Sequence, residues 1–138
     1  VIVTLVPKEL YSDVFNKIQP YLESAAEYTF GRFKAEDIKR GLLVKPQQLW
    51  VAFDGQEVYG FVVTEIYSYP QLTALVMHFT AGKKLPRWKD AMLKELRDFS
   101  KEHKCTIIES YGRRGWAKVF QNDGYKEQFT FYELPVEN

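Results

Sequence analysis

Two glutamates, a histidine and a group of tyrosines are the side chains of this 138-residue chain best suited to moving protons. Glu109 lies in an apolar stretch beside Ile108, where an ionised carboxylate needs a partner. Arg113, four residues on across a turn, can be that partner, and the pairing stands evenly against a chemical role. Glu65 falls between Thr64 and Ile66, late in another apolar stretch, and reads as a base or as an acid on an exposed strand face. Histidine is the side chain suited to proton relay near neutral pH, so His78 can serve as one, although a lone strand histidine is more often simply packed. His103 ends a helical run, and the helix dipole accounts for it. Tyr67, Tyr69 and Tyr111 fall at strand ends, where a ligand would enter, and each taken singly also reads as aromatic packing. Cys105 opens a strand without a clear histidine partner, which argues against a nucleophile. No Cys/His/Asp spacing suggests a metal site, and no Ser-His-Asp order stands out.

Those residues need a scaffold. Val1–Val6 is β-branched, closes at Pro7 and reads as a strand. Leu10, Val14, Ile18 and Leu22 recur at helical spacing, and Pro20 predicts a break near Gln19 with a second short piece after it. Ala35–Leu43 is a short helix. Gln48–Phe53 and Val58–Tyr67 flank Asp54-Gly55, a hairpin signal, and Leu72–Thr80 continues the meander after Pro70. Pro86 suits the first turn of an amphipathic helix that presents Trp88, Met92, Leu96 and Phe99 on one face. Cys105–Tyr111 is a strand, Gly112–Gly115 a turn, Trp116–Asn122 a short helix ended by Asp123-Gly124, and Tyr125–Leu134 a last strand or strand pair. The order β-α-α-β-β-β-α-β-α-β predicts a single α/β (α+β) domain over 1–138. Its sheet is mixed and mostly antiparallel, with helices on both faces.

Composition bounds the reading. Hydrophobic residues make up 46%, charged residues 27% and aromatic residues 16%, which suits a packed globule with rings to spare for a groove. A net charge of +1 gives no global field toward nucleic acid or a membrane. One cysteine precludes an intrachain disulfide and favours an intracellular home. No apolar run nears the roughly 20 residues that span a bilayer. The opening VIVTLVPKEL reads as a first strand and not as a signal peptide.

The stretch 105–125, CTIIESYGRRGWAKVFQNDGY, resembles the last β-α-β segment of the GNAT superfamily of N-acetyltransferases, most of all the phage-encoded GNAT-like proteins. The matching residues are Glu109, Arg113, Gly115, Trp116, Gly124 and Tyr125. The element order is similar over nearly the whole chain, the sequence over about its last third. The resemblance implies that acetyl-CoA, the acyl donor, lies where Leu72–Thr80 and Cys105–Tyr111 splay apart. It also implies a pyrophosphate at the start of the helix near Pro86. Phe79, Thr80, Gly82, Lys83, Lys84, Arg87 and Arg113 become the residues on the donor side.

Two positions depart from the family pattern. The family loop is Gln/Arg-x-x-Gly-x-Gly/Ala, but here only Gly82 is present in Ala81–Trp88, and Arg87 and Lys89 stand where small residues belong. Lys83, Lys84 and Arg87 then hold phosphates by their side chains, or form a solvated basic loop. Many members protonate the leaving thiolate with a tyrosine on the final helix, where this chain has Phe120. Tyr111 is the best hydroxyl to replace it, and Glu109, His78 and Glu65 are the candidate bases.

Three readings follow: an acetyl-CoA-dependent N-acyltransferase of unknown acceptor amine; a catalytically inactive GNAT-like phage protein that acts by binding, in virion assembly or inside the virion; and, weakest, a nucleic-acid binder using Lys83, Lys84, Arg87, Arg113 and Arg114. The expected partners are acyl-CoA and an amine, without a membrane, leaving open a homodimer or a virion protein. The expected location is the cytoplasm, that of a host cell if the protein is phage-encoded, or the virion.

Overall fold

A computed structural model describes residues 1–111 and 122–136. The elements in chain order are β1 (Ile2–Leu5), a 3-10 turn at Lys8–Leu10, α1 (Tyr11–Glu27), α2 (Ala35–Val44), β2 (Gln47–Asp54), β3 (Glu57–Ser68), β4 (Thr73–Gly82), a 3-10 turn at Leu85–Arg87, α3 (Lys89–Glu102) and β5 (Ile107–Ser110). The strands form one sheet in the order β1-β2-β3-β4-β5. Neighbours are antiparallel except β4 and β5, which run parallel because α3 carries the chain back between them. The mixed, mostly antiparallel sheet and its helices are those expected from the sequence.

Strand alternation sorts the core into two layers. Leu49, Val51, Phe61 and Val63 meet Ile18, Leu22, Ile38 and Leu42 of α1 and α2 on one face. Trp50, Val62, Leu75 and Met77 meet Trp88, Met92 and Leu96 on the α3 face. The buried Thr64 hydroxyl is satisfied there: it accepts from Trp50 Nε1–H at 3.0 Å and donates to Gln48 Oε1 at 2.8 Å. Gly55 takes φ +60° at the first position of the β2–β3 loop, as the Asp54-Gly55 signal predicts.

Two expectations are corrected. Pro20 does not break α1, which is continuous from Tyr11 to Glu27. An interior proline costs about 3 kcal/mol. Tyr11, Phe15, Ile18, Leu22 and Ala25 are all buried along one stripe that spans it. Each large side chain there stabilises by roughly 1.5–3 kcal/mol, so the stripe outweighs the proline. Asn16 and Pro20 are exposed, so water can satisfy the freed carbonyl. The second correction concerns Tyr125–Leu134, which forms no strand. Its alternation is present, but a strand needs a ladder partner, and among the described residues β5 is paired only with β4. Phe129, Phe131, Tyr132 and Leu134 stay exposed, while Tyr125 packs against the α3-side core. The turn 112–115 and the helix 116–122 up to Gln121 lie outside the described residues, with Arg113, Arg114, Gly115, Trp116 and Phe120. Asn122 is helical and Gly124 has φ +89°, in keeping with a glycine that ends a helix.

Candidate active site

Among the described residues the sheet opens between β4 and β5, whose register runs from Ala74–Ile107 to Met77–Ser110. β4 continues to Gly82 against β3, so from His78 to Gly82 its other edge has no strand partner among the described residues. The opening begins at a bulge. Val63 pairs with Phe79 and Thr64 with Met77, leaving His78 as the extra residue. A bulge twists a strand and re-aims its side chain. Here it turns the His78 ring toward Glu65.

His78 Nε2 lies 3.1 Å from Glu65 Oε1, and Gln47 Nε2–H donates to the same oxygen at 3.0 Å. All three side chains are part-buried. With its Nε2–H donated to the carboxylate, a neutral His78 keeps the lone pair on Nδ1 and can accept a proton there. The Glu65 carboxylate stabilises the imidazolium that results. Tyr67 stacks edge-on at 5.6 Å from the His78 ring. Burial, with the Glu65 charge after it, pushes the Tyr67 phenol up.

A second acid faces the same way. Val76 is paired with both Glu65 and Glu109, so the two carboxylates share the α1–α2 side of the sheet with one strand between them. Glu109 accepts from the Tyr69 hydroxyl at 2.9 Å. That hydrogen bond, followed by desolvation and the Glu109 charge, pushes the Tyr69 phenol up to about 12. Tyr111 follows β5, exposed, with its ring 6.2 Å from Phe129.

At the other end of the opening lies the basic loop. Lys83, Lys84 and Arg87 all sit within 5.2–5.8 Å of the Tyr59 ring centre, as cation–π partners. Lys83 is tied to Glu57 at 2.5 Å, which raises the ammonium and lowers the carboxyl. Lys89 is tied to Asp123 at 2.8 Å. Lys84 and Arg87 have no ion pair among the described residues. The backbone donors of the loop are largely spent: Lys83 N–H on Tyr59 O, Arg87 N–H on Lys84 O and Trp88 N–H on Leu85 O, with Pro86 having none. Gly82 is small for a packing reason. It pairs with Gly60, and the buried Trp88 lies over both. Trp88 Nε1–H donates to Lys83 O at 2.9 Å and pins the loop.

No protein-family model matches the chain. Its shape matches solved acetyltransferases end to end. The ribosomal-protein-alanine N-acetyltransferase of Brucella melitensis biovar Abortus 2308 superposes with a TM-score of 0.72 at 17% identity, over 99% of this chain and 100% of that one. A GNAT family acetyltransferase of Staphylococcus aureus subsp. aureus USA300_TCH1516 gives 0.68 at 12% identity, over 98% of each chain. A predicted acetyltransferase with acetyl-CoA from Clostridium acetobutylicum gives 0.68 at 12% identity, over 97% and 95%. This is the GNAT fold. At such identities the likeness is one of backbone path.

Within the GNAT fold the expected residues fall into two groups. Glu65 and His78, read separately from the sequence, form one unit, and Gln47, which sequence reasoning missed, completes it. Its only sequence signal was strand position: it pairs with Glu65 across β2 and β3. Glu109 meets Tyr69, while Arg113 lies outside the described residues and its proposed pairing is not visible. The Phe79 ring packs edge-on to Phe33 at 5.0 Å and lies 6.1 Å from the His78 ring. Thr80 lines an apolar crevice with Met77, Trp88, Met92 and Tyr125. That crevice holds about 30 Å³, against roughly 300 Å³ or more for a small-molecule pocket. A pantetheine arm would lie along the β4 edge left without a strand partner among the described residues, and its phosphates would meet the side chains of Lys84 and Arg87 rather than a cradle of loop amides. Among the described residues no helix is long and apolar enough to cross a membrane.

Proposed function

We propose that the protein is an N-acyltransferase that uses acetyl-CoA and acts on an amine in the cytoplasm. The observation that carries this reading is the bulged His78, held by Glu65 where β4 parts from β5. Bound acetyl-CoA supplies an activated acyl carbonyl. The open backbone edge from His78 to Gly82 offers hydrogen-bonding groups to its amide arm, as an unpaired strand edge does. Lys84 and Arg87 meet the phosphates as side-chain cations. His78 Nδ1 accepts the proton of the incoming ammonium, directly or through a water. Glu65 holds the ring and balances its charge, and Gln47 holds Glu65. Tyr111 lacks a hydrogen-bond partner for its hydroxyl among the described residues, and it stands in for the acid that Phe120 cannot be.

Thermal unfolding with and without acetyl-CoA tests the reading, with ATP as a control for phosphate binding alone. Ligand at 100 times its dissociation constant stabilises by about 2.7 kcal/mol. A midpoint rise with acetyl-CoA and none with ATP is expected. No rise at millimolar acetyl-CoA overturns the reading and points to a protein that works by binding a macromolecule.

A further inference from the structure

Helix α2 carries a glycine that the helix itself does not call for. Gly41 lies inside α2, and its carbonyl accepts the N–H of Lys45 at 2.9 Å as the helix ends. Its φ is not in the left-handed region, so backbone conformation gives no reason for glycine there. In a helix interior glycine is among the poorest residues and alanine the best. The reason lies across the turn into β2. A Cβ on Gly41 would stand 3.0 Å from Gln47 Oε1, 3.7 Å from Gln47 Cδ and 3.8 Å from Gln47 Nε2, its three nearest atoms. The Gln47 amide occupies the space that a methyl group would take.

Chemistry fixes which way that amide faces. A carboxylate only accepts, so the amide NH2 faces Glu65 and the amide oxygen faces Gly41. Gln47 Nε2–H donates to Glu65 Oε1 at 3.0 Å, and that same oxygen lies 3.1 Å from His78 Nε2. Side chains from β2, β3 and β4 thus meet at one oxygen, and α2 backs the first of them. Gln47 and Glu65 are cross-strand partners, so the ladder holds their backbones while the seat on Gly41 holds the amide. An added methyl at 3.0 Å is tighter than ordinary contact, which begins near 3.4 Å. The Gln47 side chain is the flexible neighbour and gives way by a few tenths of an ångström. Hydrogen bonds weaken as they lengthen past about 3.2 Å. Gly41→Ala therefore has two effects of opposite sign: α2 gains a better helix former, and the contacts of Gln47, Glu65 and His78 loosen. A glycine needed only for packing would give the reverse, a less stable fold and an unaltered ring.

We propose that Gly41 is a positioning residue for His78: its bare Cα seats the Gln47 amide, which sets the Glu65 oxygen that holds the imidazole. The assignment rests on the reading of His78 as the base, but its test observes the ring directly and needs neither donor nor acceptor. Heteronuclear NMR of the imidazole nitrogens is recorded on the whole protein where the rings are neutral. The chain has two histidines, so His103→Gln assigns their signals. In the parent, His78 is expected to carry its proton on Nε2. Gly41→Ala is expected to move the His78 nitrogens, leave those of His103 in place, and keep or raise the urea midpoint. Gln47→Ala removes the amide and is expected to move them in the same sense. The double variant is expected to match Gln47→Ala, because the methyl then has nothing to displace. In turnover, Gly41→Ala is expected to lower kcat severalfold with the KM for acetyl-CoA unchanged. The proposal is overturned by His78 signals that either single variant leaves in place, by a Gly41→Ala shift that persists once Gln47 is alanine, or by a proton on Nδ1 in the parent. A Gly41→Ala protein that is markedly less stable or does not fold points to packing and overturns it too. A moved ring in a protein whose unfolding acetyl-CoA does not affect keeps the seat and sinks the transfer reaction. An acetyl-CoA effect with an unmoved ring does the reverse.

Discussion

Gly82→Ala separates two roles for the one glycine of the basic loop. The backbone φ of Gly82 is ordinary, so space is what matters there. A Cβ on Gly82 would stand 2.6 Å from Gly60 Cα and 3.0 Å from Trp88 Cζ2, and closer still to the Tyr59 carbonyl oxygen. Two of those neighbours are backbone in a paired strand, and the third is a buried ring anchored to Lys83 O, so none can swing aside. Overpacking of this kind costs typically 1–3 kcal/mol, and rigid neighbours place Gly82→Ala at the upper end, about 3 kcal/mol. For a domain of this size that is a fall in Tm of roughly 10 °C. Gly55→Ala is the control: its Cβ would meet nothing within 4 Å, and its cost of about 1 kcal/mol comes from φ +60° alone. Urea unfolding followed by circular dichroism reads both. If Gly82→Ala unfolds within about 0.5 kcal/mol of the parent, the packing of Gly60, Gly82 and Trp88 is looser than described and the reasoning fails. If it stays stable but loses the acetyl-CoA effect, the glycine serves the approach of phosphate after all.

His78→Ala is expected to lower kcat by about a hundredfold or more with little change in the unfolding midpoint, and Glu65→Gln to lower it less; steady-state kinetics check both. Lys84→Ala and Arg87→Ala are each expected to weaken acetyl-CoA about tenfold, the worth of a charge-assisted hydrogen bond, read as a smaller stabilisation at fixed ligand. Alkaline titration followed by phenolate absorbance is expected to show late-titrating tyrosines near 12, Tyr69 through its bond to Glu109 and Tyr125 through burial. Glu109→Gln should return Tyr69 toward its ordinary value and leave Tyr125 alone. Because the folded pKa of Tyr125 lies above the unfolded one, its contribution is whole below pH 10 and is lost as pH rises toward 12, which urea midpoints across that window measure.

Most elements were legible in the sequence because their patterns are local. Leu10, Val14, Ile18 and Leu22 mark a helix whatever they pack on, and Asp54-Gly55 marks a turn by backbone geometry. Pro20 misled because its local cost is outweighed by a buried stripe that only the sheet supplies. Tyr125–Leu134 misled in the other direction: alternation describes side chains, and a strand exists only where another backbone receives its hydrogen bonds. Glu65, His78, Glu109 and Tyr111 were each visible as titratable groups beside apolar strand residues, but which of them meet was not.

The sequence alone determined the residue types of the candidate site, most of the element order and a basic loop without the glycines of the pattern it resembles. The tertiary structure decided the pairing. One extra residue in β4 brings His78 to Glu65, and the register through Val76 sets Glu109 on the same face. Trp88 packs on Gly60 and Gly82, the amides of Lys83, Arg87 and Trp88 are bonded to nearby carbonyls, and Lys84 and Arg87 are the loop cations without an ion pair among the described residues. Each of these depends on contacts between segments distant along the chain, and sequence spacing carries no measure of such distances.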